Sequence, residues 1–76
     1  MTDEQIKTYE GLSKMVDLAH DKVSEAVFAL CAVKRTDGES TLHYARRIEE
    51  ACGVVQYHRR MLADAQGNKR AFVMSI

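Results

Sequence analysis

No proline and no tryptophan occur in the 76 residues, glycine appears only four times, and eleven basic side chains are balanced by eleven acidic ones. Each shortage excludes something. Without proline, no interior position forces a helix to stop. With zero formal net charge and a pI near 6.8, the chain lacks the basic excess that a nonspecific nucleic-acid coat needs, so nucleic acid is not an expected partner. No apolar run approaches the roughly 20 residues of a membrane span. The polar opening Met1-Thr2-Asp3-Glu4-Gln5 does not read as a signal peptide, and the expected location is the cytoplasm. Two cysteines in that setting read as reduced thiols rather than a disulfide framework. Cys-x-x-Cys, a glycine-rich phosphate loop, His-Glu-x-x-His and a nucleophile elbow are all missing, so no enzyme activity, no metal and no cofactor are expected.

What is present is helical patterning, in a chain that is 46% hydrophobic and 29% charged. Thr2 followed by Gln5 fits a capping box, and Asp3 and Glu4 stand where a helix N-terminus favours negative charge. From Tyr9, apolar residues recur at alternating three- and four-residue steps through Leu12, Val16, Ala19, Val23, Ala26, Leu30 and Val33. Gly11 marks a point where the first turns could kink or separate. Lys34 and Arg35 suit a helix C-terminus and Thr36-Asp37-Gly38 supplies a polar stop, which places the first helix at about residues 3–35. Ser40 or Thr41 caps a second helix of about residues 41–66, with Ala45, Ile48, Cys52, Val55 and Leu62 as its stripe, widened by Tyr44, Ala51, Met61 and Ala65. Gln66-Gly67-Asn68 reads as its end. The short connection requires an antiparallel hairpin of rods each about 40 to 50 Å long.

Folding about Gly38 would set Ala26 and Val23 near residues 50–53, and Asp17 near Arg59. Arg59 falls on the seven-residue repeat of Ala45 and Cys52, so an Asp17–Arg59 pair is expected to satisfy it and fix the register. Cys31 and Cys52 are expected as core thiols too far apart to bridge. The tail, residues 69–76, carries Phe72, Met74 and Ile76 at a period of two and reads as a strand, with a short helix as the alternative.

Self-association is expected on packing grounds. Residues 26–33 are apolar all the way round, and Met15, Leu18, Val27, Phe28 and Met61 lie off the seam with nothing in a hairpin to cover them. Burying one such side chain gains about 1.5 to 3 kcal/mol, so leaving half a dozen wet would forfeit more than a chain this short can spare. The expected fold is therefore all-α: one domain, residues 1–76, assembled as a dimeric four-helix bundle or a higher oligomer.

Charge is unevenly placed. Residues 1–33 hold six acids and three bases, whereas residues 34–76 hold five acids and eight bases, many of them in adjacent pairs such as Arg46-Arg47 and Arg59-Arg60. With Tyr44 and Tyr57 between them, these arginines could hold an anionic nucleotide in a cleft between subunits, or simply pair with the acidic first helix. Asp17, His20 and Asp21 share one turn, but the other ligands of a helical metal site are absent.

Leu30-Cys31, followed after a polar connection by Ile48-Glu49-Glu50-Ala51, resembles small helical phage proteins with Leu-Cys and Leu-Glu-Glu-Ala at comparable places. The similarity is to cyclic-nucleotide sponges, oligomers that counter bacterial defence by trapping signalling nucleotides between subunits. It spans about residues 9–60 and assigns no ligand-contacting residue. The leading expectation is a non-enzymatic oligomer, phage or prophage encoded, that binds and inhibits or organises a host macromolecule. Phe72, Met74 and Ile76 would be its anchors, with Arg46, Arg47 and Arg60 steering an acidic partner. The alternatives are sequestration of a small phosphorylated ligand by Arg46, Arg47, Arg59 or Arg60 with Tyr44 or Tyr57, and a dimeric nucleic-acid-binding regulator.

Overall fold

The computed structural model describes all residues from Met1 to Ile76 and consists of two long helices, α1 (Asp3–Cys31) and α2 (Thr41–Ser75), with no strand. The capping box at the start of α1 is formed in both directions. The Gln5 N–H donates to the Thr2 hydroxyl at 3.1 Å and the Thr2 N–H donates to the Gln5 side-chain carbonyl at 2.8 Å, satisfying two donors the helix leaves orphaned. Helix α1 runs through Gly11 without a break. Ser40 caps α2, its hydroxyl accepting from the His43 N–H at 3.1 Å.

The first helix stops earlier than its sequence suggests, at Cys31 rather than near Arg35. The Ala32 N–H still reaches the Phe28 carbonyl and Val33 closes a tighter turn on Leu30, after which the chain leaves the helix. Lys34 and Arg35 do not decorate a helix terminus. The Lys34 carbonyl accepts from Arg47 of α2, and the Arg35 guanidinium donates twice to the Glu39 carbonyl. Gly38 makes the reversal with φ of 77°, a conformation open to glycine at little cost.

The second helix runs longer than expected. Gln66-Gly67-Asn68 does not end it, and residues 69–75 continue as helix rather than forming a strand. Phe72 and Ile76 are four residues apart as well as at a period of two, and Leu62, Ala65, Lys69 and Phe72 carry the three–four alternation straight through Gly67. Glycine in a helix interior costs about 1 kcal/mol, less than one more covered aromatic returns.

Along α1 the expected seam is the observed one: each seam residue from Tyr9 to Leu30 is partly or fully covered, and Val33, just past the helix end, is half-buried. On α2, Ile48, Val55 and Leu62 are covered as expected, but the other column of the seam is shifted by one residue. The covered column is Tyr44, Ala51, His58, Ala65 and Phe72, alternating with Ile48, Val55, Leu62 and Lys69, while Ala45 and Arg59 are exposed and Cys52 is half-buried. Four of the five residues in the first column are apolar or aromatic without charge, against Ala45, Cys52 and Val73 in the adjacent one. The helix rotates to bury the richer column. The expected Asp17–Arg59 pair does not form, and both side chains stand in solvent. Arg47 on Lys34 and Lys69 over Tyr9 put the mirror point of the hairpin near Ser40 instead of Gly38, which carries Arg59 past Asp17. Cys31 is exposed rather than a core thiol, and it and Cys52 are both free.

The result is a thin rod of 61 × 15 × 11 Å. Its radius of gyration is 17.9 Å, where a compact chain of this length would have about 11 Å. Only Ala26, Val55 and Ala65 are buried outright.

Candidate functional site

The most organised polar constellation is at the hairpin turn. Glu39 directly precedes the N-cap of α2, and its side chain is only 3% exposed. Arg47, two turns into α2, brings one guanidinium nitrogen to 2.7 and 2.8 Å from the two carboxylate oxygens and 3.3 Å from the Lys34 carbonyl. The Thr36 N–H donates to the same carboxylate at 3.1 Å, and the His43 ring lies against its other oxygen. The Arg47 hydrogen bond dominates, and with Thr36 and His43 it outweighs the cost of covering the charge, so the carboxyl is held at about 2 instead of the usual 4.5. This cluster closes the turn on itself and leaves no vacant donor set. Sequence patterning did not single out Glu39. The signal was an acid beside an N-cap, four residues before a histidine and eight before an arginine, all on the inner side of a turn.

The arginines expected to converge on an anion do not do so within one chain. Arg47 is committed to Glu39. Arg46 and Arg60 are both exposed, two heptads apart and so about 20 Å from each other along α2. Arg59 faces a different side, in a groove with Val27, Leu30, Cys52, Val55 and Gln56. Tyr44 is half-buried in the seam, while Tyr57 is 57% exposed with its ring edge-on to His58 at 5.2 Å. Surrounding one anion with all of these groups is not possible within one chain. Asp17, His20 and Asp21 remain exposed on α1, and no three metal-ligating side chains come together anywhere.

The tail residues divide. Phe72 is half-buried in the seam, whereas Met74 is 79% and Ile76 52% exposed. Next to them a groove of about 360 Å³ is lined by Val16, Gln66, Lys69, Arg70, Val73 and Met74, with the Lys69 ammonium 5.0 Å above the Tyr9 ring. In all, twelve large apolar side chains are exposed, from Met1 to Ile76. No protein family, curated protein or solved structure matches this chain. No helix is long and apolar enough to cross a membrane.

Proposed function

We propose that this protein is a non-enzymatic, self-associating interaction protein: a helical rod that binds a second macromolecule in the cytoplasm of a host cell and inhibits or organises it. One observation carries the reading. Three residues of 76 are buried while twelve large apolar side chains face water, far more apolar exposure than scattered surface hydrophobics account for. Two free thiols are consistent with a reducing compartment. The exposed tail residues Met74 and Ile76 are the proposed anchors, with the exposed Arg46 and Arg60 steering an acidic partner.

Sedimentation equilibrium on the full chain tests the first half, with more than one subunit expected. A single subunit at every concentration examined overturns it. For the second half, Met74→Glu with Ile76→Glu is expected to abolish co-purification of a bound macromolecule while leaving subunit number unchanged. Unaltered co-purification would remove the tail from the binding site. Point variants are preferred to deleting residues 70–76, because that deletion also strips Phe72 from the seam.

A further inference from the structure

The exposed apolar side chains are not spread evenly around the rod. On α2, Val54, Tyr57 and Met61 follow one another at steps of three and four and are 49%, 57% and 47% exposed. On α1, Met15 and Leu18 share a flank with Lys22 by the same spacing and are 55% and 63% exposed. A groove lined by Lys22, Glu25, Ala26, Val54 and His58 joins those two flanks. Both stripes therefore lie on one side of the hairpin. The groove containing Arg59 marks the opposite side.

We propose that a second copy of this chain covers the face formed by Met15 and Leu18 of α1 with Val54, Tyr57 and Met61 of α2, giving a twofold four-helix bundle. The proposal rests on the self-association read above and adds which face carries it.

Area supports a second copy as the occupant. The chain exposes 5965 Å², whereas a compact monomer of 8.6 kDa exposes about 4,700 Å². The surplus of about 1,300 Å² exceeds the roughly 800 Å² each partner contributes to a standard interface and falls in the range of obligate dimers.

Charge selects the face. Its groove carries one cation and one anion, Lys22 and Glu25, 3.5 Å apart and both well exposed. A twofold axis can set each against its opposite on the other copy, so the surface is self-complementary. The groove on the other side carries Arg59 and the groove beside the tail carries Lys69 and Arg70, neither with an acid, so pairing through them would oppose like charges.

The test compares Leu18→Glu with Met61→Glu against Phe28→Glu with Met74→Glu, all in the full chain, by sedimentation equilibrium. The first pair is expected to raise the dimer dissociation constant by about 100-fold or more, because it buries unpaired carboxylates. The second pair should change it by about twofold at most. The reverse pattern overturns the assignment of the face while leaving self-association standing, and a wild-type monomer overturns both. Should the first variant lose its helical circular dichroism, isotope-filtered NOEs in mixed-label wild-type protein decide the matter. Contacts between copies at the Met15, Leu18 and Met61 methyls support the proposal, and contacts at Phe28 and Met74 instead refute it.

Discussion

At the scale of single residues, the turn depends on a carboxylate. Glu39 is covered, and three donors around it keep it ionised down to about 2. Its folded value lies below the ordinary 4.5, so its stabilising effect is complete above pH 4.5 and fades as pH falls through that value toward about 2. Glu39→Gln is therefore expected to lower stability at neutral pH and to flatten the loss of stability between pH 4.5 and 2. Urea midpoints measured across that window check both, and an unchanged slope would show that the acid sensitivity lies elsewhere. Arg47 is the other half of the arrangement, its guanidinium engaged by the Glu39 carboxylate and the Lys34 carbonyl. Sequence patterning chose Arg59 as the polar seam residue, but His58 holds that place. The two alternatives differ by one residue, or 100° of rotation, and Ala45 and Cys52 made the wrong column look apolar over its first two heptads. Ala65 against Gln66 near the expected end of the helix, and Phe72 beyond it, tip the balance.

At the scale of elements, the sequence declared the helices more clearly than their ends. The capping box at Thr2 and the α1 seam from Tyr9 to Val33 were readable because capping chemistry and periodicity are local. The end of α1 was not, because Lys34 and Arg35 take partners from α2 and the turn. Nor was the passage of α2 through Gly67, since glycine marks a helix end only when no seam continues beyond it. That passage makes Gly67 a site of avoidable loss. A Cβ there would meet nothing within 4 Å, and the backbone is helical. Gly67→Ala is expected to stabilise the protein by about 0.4 to 1 kcal/mol, with an unchanged urea m-value. Gly38→Ala has equal room but a φ of 77°, and is expected to destabilise by about 1 kcal/mol. Opposite signs from two unobstructed glycines would separate backbone conformation from packing. If Gly67→Ala destabilises, the helix does not continue through that residue in solution.

At the scale of the whole molecule, thinness sets the behaviour. A rod 61 Å long and 11 to 15 Å across is two helices and nothing more, so each helix turns one stripe to its neighbour and the rest to water. Apolar patterning around residues 26–33 made this shortage of cover legible, and Phe28, 79% exposed, shows it most plainly. Which face a second copy takes was not legible, because it depends on how the two helices are rotated against each other. If cover comes from another copy, folding and association are one equilibrium, and stability must rise with protein concentration by mass action. A tenfold increase adds about 1.4 kcal/mol for a dimer. A pair of 76-residue chains has an unfolding entropy of about 0.3 kcal/mol/K, so the midpoint should climb by about 4 °C per tenfold. Scanning calorimetry over two decades of concentration measures this. A midpoint independent of concentration would mean that each rod holds itself together with three buried residues, and the exposed apolar side chains would need another explanation.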